Sequence, residues 1–534
     1  VDALIIAAAV VGVAVYVAAA IGAGGAGFPL DDSWIHQVYG RSLALTGQWA
    51  FVPGVPSAAS TSPLYTVLLA VGYGLRVPFY LWTYGLGAIG LAAAGLFAAR
   101  LGRVLARQFM PTLRFAGVAA GLATVTAWHF VWVAAAGMET IIFTALTLVL
   151  ITWICTRSAT APDRSAGPDA LYGAGIGILG ALVTVARPEG AGLFGLCLGA
   201  ALLYGLTDSA KTVTERLRGG LLIGAAAAVA WIVCLSPYLA LNLGLNRTLL
   251  PNTSAAKQAE NAPLLAAPLL NRFADMLYPL IAGAQLIVLP GFIRALVTMI
   301  RPGQGGPAPA AQRLRPLILF AIPVIWPFVL ILVYALRLPA PYQHGRYVIP
   351  ALGPYLVFAA VGTLILLKDA AALGRGRRLR ATLGRVMIRS VALTAGLAFA
   401  VFWISGAGIY AREVALINGE MVNAAQWIAA HVPPDELLAV HDIGAVGYFA
   451  PRPILDLAGL VSPEVVPVIT EPAAVIRLME RRGVQWMMVS PYQLPMTADD
   501  PRLCQAYETP GADSPVHMSV YRIAWDGRCP APAP

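Results

Sequence analysis

The sequence predicts an α-helical polytopic membrane protein with a C-terminal extracytoplasmic α/β domain, and three observations lead there. Hydrophobic residues make up 58% of the 534-residue chain and charged residues 12%, against about 45–50% and 25% in soluble domains. The apolar residues run in stretches of span length, and composition turns polar only beyond Ala411. Charge is split in the same place. Residues 1–411 hold 28 Lys+Arg and 12 Asp+Glu, and residues 412–534 hold 8 and 14, so a body of +16 precedes a tail of −6 within the overall +10. A soluble fold is excluded. The basic excess reads as a membrane-orientation signal and argues against nucleic acid as a partner.

A spanning helix must hide its backbone across about 30 Å of hydrocarbon, which takes roughly 20 apolar residues. Eleven segments qualify: Ala3–Ile21, Phe79–Ala99, Ala116–Ala134, Ile141–Thr156, Leu171–Ala186, Ala191–Leu206, Leu221–Leu241, Met276–Leu296, Leu317–Leu336, Tyr347–Leu367 and Val391–Tyr410. The first lacks the basic flank of a signal peptide and counts as a span. Pro63–Leu75 is too short to cross, ends at Arg76 and Pro78, and reads as a half-inserted or surface helix. Charge fixes the parity. With a cytoplasmic N-terminus the inner loops collect nineteen basic residues, including Arg100, Arg103, Arg107, Arg114 and seven from Lys368 to Arg389, and the outer loops fewer than half as many. Counting Pro63–Leu75 as a span would put GRGRRLRATLGR (Gly374–Arg385) outside. The expectation is a multi-pass plasma-membrane protein with a membrane domain at 1–411, whose first outer loop is 28–78, and an outer domain at 412–534. In that domain Asn423–Ala430 and Ala474–Arg482 read as helices, and Leu437–Val440, Val484–Val489 and Met518–Ile523 as strands. Cys504 and Cys529 share this oxidising side and have the opportunity to pair; Cys155, Cys197 and Cys234 fall within spans as packing residues.

This topology gathers the awkward polar residues on the outer side. The first outer loop opens with the adjacent carboxylates Asp31 and Asp32, followed by Trp34, Val38 and Arg41 at the helical spacing that suits a helix lying along the interface, with His36 among them. A lone helix cap needs one Asp, not two at a membrane surface. GMET (Gly137–Thr140) brings Glu139 to the next outer mouth, and ARPEG (Ala186–Gly190) brings Arg187 and Glu189. NRTLLPNTSAAKQAEN (Asn246–Asn261) adds Asn252 and Lys257. PAPYQHGRYVIP (Pro339–Pro350) adds His344 and Arg346. Each has a bland alternative: turns at Pro188 and Gly190, an Arg187–Glu189 pair, snorkelling Lys257 and Arg346. The His441–Asp442 dipeptide resembles a metal phosphohydrolase pair but lacks the further ligands, because only six histidines are spread over the chain. No nucleotide-binding glycine loop or zinc spacing is present.

These motifs together, the aspartate pair with the GQWAFVPGVP and TSPLY segments, then GMET, ARPEG, LLPNTSAAK (Leu249–Lys257) and HGRYVIP (His344–Pro350), resemble the GT-C membrane glycosyltransferases. Within them the pattern is most similar to the mycobacterial terminal arabinofuranosyltransferase type, whose donors are polyprenyl-phosphate sugars. The resemblance covers residues 1–410 as five motifs in order. Where such proteins often carry Asn-Pro-Gly-Glu, this chain has Val-Pro-Gly-Val-Pro, and its tail, with HDIGAVGYFAPRPILDLAGLVSPE (His441–Glu464), does not match the carbohydrate-binding tail of the arabinosyltransferases. The resemblance implies a GT-C fold and transfer of a sugar to an acceptor of the cell envelope.

The residue types suit that chemistry by themselves. A hydroxyl acceptor needs a base, a role for Asp31 or Asp32, and direct displacement inverts the anomeric centre. A leaving lipid phosphate needs cations, for which Lys257, Arg346 and Arg187 are the candidates. His36, Glu139, Glu189, Asn252 and His344 are then left to bind sugar and acceptor or to orient the base. No cofactor is required; a divalent cation at Asp31/Asp32 is compatible with the pair. Two rival readings are a multi-span transporter or lipid flippase with an external cap, and a non-catalytic sugar-binding GT-C homologue. A transporter would carry ionisable residues near the midplane and repeated halves, and the sequence displays neither.

Overall fold

The structure is a computed structural model describing all residues except 158–165, 250, 302–309, 374–377, 492, 494–499, 511–516 and 530–534. Arg164 and the head of the basic run, 374–377, lie outside the described residues. Apolar runs become helices throughout the first 411 residues. α1 (Asp2–Gly24) is the first of the expected spans. The segment after α1 forms α2 (Asp32–Thr46), a hairpin of β1 (Ala50–Val52) and β2 (Val55–Pro56), and the short apolar α3 (Pro63–Gly74). After α4 (Phe79–Phe109) the third expected span is broken into α5 (Ala116–Thr126) and α6 (Trp128–Ala135), bent by 54°. α7 (Thr140–Thr156), α8 (Ala166–Ala186), α9 (Gly190–Leu206) and α10 (Val213–Asn246) follow, and α11 (Asn252–Glu260) lies in the next outer loop.

The expected span Met276–Leu296 is not one helix. α12 (Leu269–Ile281) meets α13 (Ala284–Ile300) at 96°. The cause is local: Pro279 lacks an amide donor, Gly283 takes a left-handed φ of 69°, and α12 is strongly amphipathic, so it packs one face only. α14 (Ala310–Phe320) and α15 (Ile322–Arg337) lead through the turn α16 (Tyr342–Gly345) to α17 (Leu352–Leu373) and α18 (Arg378–Ile417). Among the described residues seven single helices are long and apolar enough to cross a membrane, and counting each of the two bent pairs as one span brings the number to nine. Reaching eleven requires α7 and α9 as well, at 17 residues each, roughly 25 Å of helix against about 30 Å of hydrocarbon. Small residues let the helices approach closely. At the α13–α17 crossing a Cβ on Gly362 would strike the Gly291 carbonyl, and one on Gly291 would strike Ala359 and Thr363.

The boundary at 411/412 falls inside a helix. α18 passes through a π-turn, Asn418–Val422, into α19 (Asn423–His431). The tail is a five-stranded sheet of β3 (Leu438–Val440), β4 (Ile454–Asp456), β5 (Trp486–Val489), β6 (Leu503–Glu508) and β7 (Ser519–Ile523) in the order β4-β3-β5-β7-β6. β3 is parallel to β4 and β5, whereas β7 is antiparallel to β5 and β6. α20 (Ile443–Phe449) connects β3 to β4, and α21 (Pro472–Arg481) precedes β5. β3 and β5 read in sequence as short buried apolar runs because the strands beside and helices around them exclude water. β4, β6 and α20 carry no such pattern. Cys504 and Cys529 form a disulfide with Cα atoms 5.5 Å apart.

Candidate active site

Asp31 and Asp32 are adjacent at the start of α2, yet their side chains serve different regions. Asp31 is 8% exposed and accepts the backbone N–H groups of Gly444 at 2.6 Å and Ala445 at 2.8 Å. It caps the N-terminus of α20. At the opposite end Arg41 donates to the carbonyls of Gly447 (3.2 Å) and Tyr448 (3.0 Å), with its guanidinium 4.3 Å above the Tyr448 ring. The guanidinium at the negative end complements the helix dipole, and the Asp31 carboxyl group supplies acceptors for the N–H groups at the other end. Gly444 is the residue that permits this approach, since a Cβ there would collide with the Asp31 carbonyl. Trp34 completes the seam, 5.0 Å from Tyr448 and 4.8 Å from Phe449, ring to ring. Burial and the nearby Asp442 carboxylate push the Asp31 pKa up to about 8, against the pull of its two backbone donors. The expectation that both aspartates face one site is therefore corrected: Asp31 is committed to domain docking.

Asp32 lines a cavity of about 540 Å³ together with His36, Glu139, Arg187, Glu189, Lys257 and Arg346. Arg346 is 5% exposed. Its Nη2 contacts Asp32 Oδ2 at 2.5 Å and the Tyr347 hydroxyl at 3.0 Å, while Nε and Nη1 are buried with no hydrogen-bond partner among the described residues. Burial opposes ionisation of Asp32, but Arg346 and Lys257 outweigh it and hold the carboxyl well below the usual carboxylate range. On the facing wall His36 Nε2 sits 3.2 Å from Glu139 Oε2. Arg187 is pinned, with Nη1 3.5 Å from Glu139 and Nη2 3.3 Å from Glu189 and 2.6 Å from the Tyr334 hydroxyl. Arg187 is thus spent on two acids, whereas Arg346 keeps two donors for something else.

The first loop and α11 are stitched together where they form the cavity wall. Asn252 N donates to the Ala58 carbonyl at 2.9 Å, and the Thr253 hydroxyl donates to Ala59 at 2.5 Å. Asn252 is consequently placed behind the wall: its Oδ1 accepts from Asn246 at 3.0 Å, and it does not line the cavity. His344 also faces elsewhere. Gln343, His344 and Gly345 all have left-handed φ, of 53°, 59° and 67°, and this reversal sends the imidazole to Glu413 at 2.8 Å, between the edges of Trp128 and Trp132. The lining residues Tyr334, Tyr347, Ser254 and Leu460 were not anticipated. Leu460 comes from the C-terminal domain, on a loop caged by Asp456, whose oxygens accept the N–H groups of Ala458 (2.9 Å) and Val461 (2.7 Å). The C-terminal domain therefore supplies part of the wall. With both Asp31 oxygens given to backbone donors, the aspartate pair does not present two free carboxylates to a cation, and no group of three His, Cys, Asp or Glu side chains among the described residues is arranged to hold a metal.

A family described as a domain of unknown function (DUF8728) matches residues 408–523, most of the C-terminal domain together with the last turns of the helix that carries it. Among curated proteins no sequence relative matches the chain. Solved structures do resemble it. ArnT from Cupriavidus metallidurans bound to undecaprenyl phosphate aligns over 99% of both chains with a TM-score of 0.54 at 14% identity. The Archaeoglobus fulgidus oligosaccharyltransferase tethered to an acceptor peptide aligns over 98% of this chain and 74% of its own, with a TM-score of 0.55 at 11% identity. The mycobacterial arabinofuranosyltransferase AftD aligns over 98% of this chain and 41% of its own at a TM-score of 0.49, too loose to favour that branch over the others. At these identities the likeness is one of architecture, and it extends over the whole length of the chain. The chain has the fold of these solved structures, which is the kind of fold its resemblance to the GT-C proteins implied.

Proposed function

We propose that this protein is an inverting glycosyltransferase that moves a sugar from a polyprenyl-phosphate donor to a hydroxyl of a cell-envelope acceptor on the extracytoplasmic side of the plasma membrane. The observation that carries the reading is Arg346: a buried guanidinium on the cavity wall with two unpartnered donors, beside Lys257 and against a single carboxylate. Buried unpaired donors are costly, and a phosphate offers the paired acceptors that would satisfy them. The undecaprenyl phosphate bound to ArnT supports the same donor class.

In this mechanism the acceptor oxygen attacks the anomeric carbon as the bond from that carbon to the phosphate oxygen breaks. The bonding electrons leave with the phosphate, whose growing charge Arg346 and Lys257 stabilise. Asp32 takes the hydroxyl proton. In the resting site Arg346 and Lys257 depress the basicity of Asp32. A donor phosphate that engages both cations relieves this and makes Asp32 a stronger base only when substrate is present. His36, Glu139 and Glu189 offer acceptors and donors to sugar hydroxyls.

The test is transfer of labelled sugar from a panel of polyprenyl-phosphate sugars by purified protein in lipid nanodiscs. Wild type should consume at least one donor and Asp32→Asn should lose about a hundredfold or more. Consumption of no donor, or full transfer by Asp32→Asn, would sink the reading. Cysteine labelling of Thr382 or Arg385 from outside intact cells would overturn the orientation.

A further inference from the structure

The His441–Asp442 dipeptide sits at the end of a line of alternating charges that enters the cavity. Asp442 Oδ1 lies 3.3 Å from His441 Nδ1, and His441 Nε2 lies 3.4 Å from Glu260 Oε1. The other oxygen of Glu260 lies 3.0 Å from Lys257 Nζ, and Lys257 in turn faces Asp32 and Arg346. Gln493 donates to Asp442 at 2.6 Å and also reaches the His441 ring at 3.2 Å. The line therefore runs from the outer domain, through the C-terminal end of α11, to the cation beside the proposed base.

Glu260 creates a problem for its neighbour. A carboxylate 3.0 Å from Lys257 competes with any phosphate for that ammonium. We propose that His441 is a positioning residue of the outer domain that counterbalances Glu260, holding its carboxylate toward the domain so that the charge of Lys257 is directed at the donor phosphate. The carboxylates facing His441 are Glu260 from α11, Asp442 beside it and Asp456 from β4, with no cation among its described partners. Burial disfavours the imidazolium, but Asp442 and Glu260 prevail and raise its pKa to about 10, so the counterweight stays charged at physiological pH. The inference rests on the donor class proposed above.

Binding of undecaprenyl phosphate to the purified full-length protein in nanodiscs tests it, with Lys257→Ala as reference. Wild type should bind and Lys257→Ala should weaken binding, which checks the donor reading by itself. His441→Gln should weaken binding about fivefold, the effect of one charge felt across a partly screened gap, and Glu260→Gln added to His441→Gln should restore it by removing the uncompensated carboxylate. Loss of a merely structural histidine would not be rescued by a second substitution on another element. Wild-type affinity should also fall as pH rises through about 10, and the His441→Gln profile should be flat there. If wild type binds and Lys257→Ala weakens binding but His441→Gln is indistinguishable from wild type, or the double variant is no better than the single, the counterbalance is wrong. Failure of wild type to bind would instead break the donor reading. Should His441→Gln not fold, Glu260→Gln alone decides the matter: it should tighten binding, and weakened binding would overturn the proposal.

Discussion

The two sides of the α2 N-terminus differ in what they do with a carboxylate. On the seam side both Asp31 oxygens accept backbone donors, a glycine packs against its carbonyl, and it is not among the residues that line the cavity. On the cavity side Asp32 shares a guanidinium that still has two buried donors to place. A polar group whose partners are complete is structural. One whose partners are incomplete, in a cavity, is where a substrate is expected to finish the set. One peptide bond separates the two.

The largest expected break in this comparison is Asp32→Asn, at about a hundredfold or more in transfer with little change in melting temperature. The same loss from Asp31→Asn, with Asp32→Asn active, would invert the assignment. Next, Arg346→Ala should raise the donor KM and lower transfer by roughly tenfold to a hundredfold, because it removes the paired donors for phosphate. Arg187→Ala, read in the same assay, should act mainly on stability through Glu139 and Glu189.

On the seam side, Asp31→Ala leaves two buried N–H groups unpaired and should destabilise docking of the outer domain by about 2–4 kcal/mol, read as faster proteolysis within residues 432–442 with the membrane helices intact. Gly444→Ala should act in the same direction by steric displacement, at about 1–3 kcal/mol. A further effect is a pH dependence. The raised pKa of His441 contributes stability that is fully present below its ordinary value of 6.5 and is lost as pH rises through about 10. The difference in melting temperature between wild type and His441→Gln should therefore be greatest at pH 6 and vanish toward pH 10.5. A difference that grows with pH would contradict the ion pairs drawn at that residue.

Much of this architecture was legible in the sequence because the bilayer imposes one demand, about 20 apolar residues for each crossing. Where the chain departs from that demand the signals were weak but present: Pro279 and Gly283 mark the corner between α12 and α13, and Pro53-Gly54 marks the hairpin of the first loop. The five polar motifs identified the cavity residues His36, Glu139, Arg187, Glu189, Lys257 and Arg346. They could not separate Asp31 from Asp32, because adjacency in sequence says nothing about which neighbour a side chain meets 413 residues away. His344 was misplaced for a related reason: two residues from Arg346, it is turned around by three consecutive left-handed φ values that no residue type other than Gly345 announces. α20 was invisible, since GAVGY carries too few apolar positions to show a period, and its stability comes from the clamp at its two ends.

The helix that joins the two parts has a mechanical consequence. α18, the π-turn and α19 run from Arg378 to His431 as one rod, about 80 Å long at 1.5 Å per residue, more than twice the hydrocarbon thickness. Such a rod works as a ruler and a spindle at once: its length sets how far the sheet stands from the start of α18, and its winding sets which face of the sheet looks toward α2. A π-turn carries one residue more than the α-helical repeat. Excising a single residue from Asn418–Val422 would lower the domain by about 1.5 Å but swing it through roughly 100°, carrying Gly444 off Asp31 and opening the cavity on the side that Leu460 now closes.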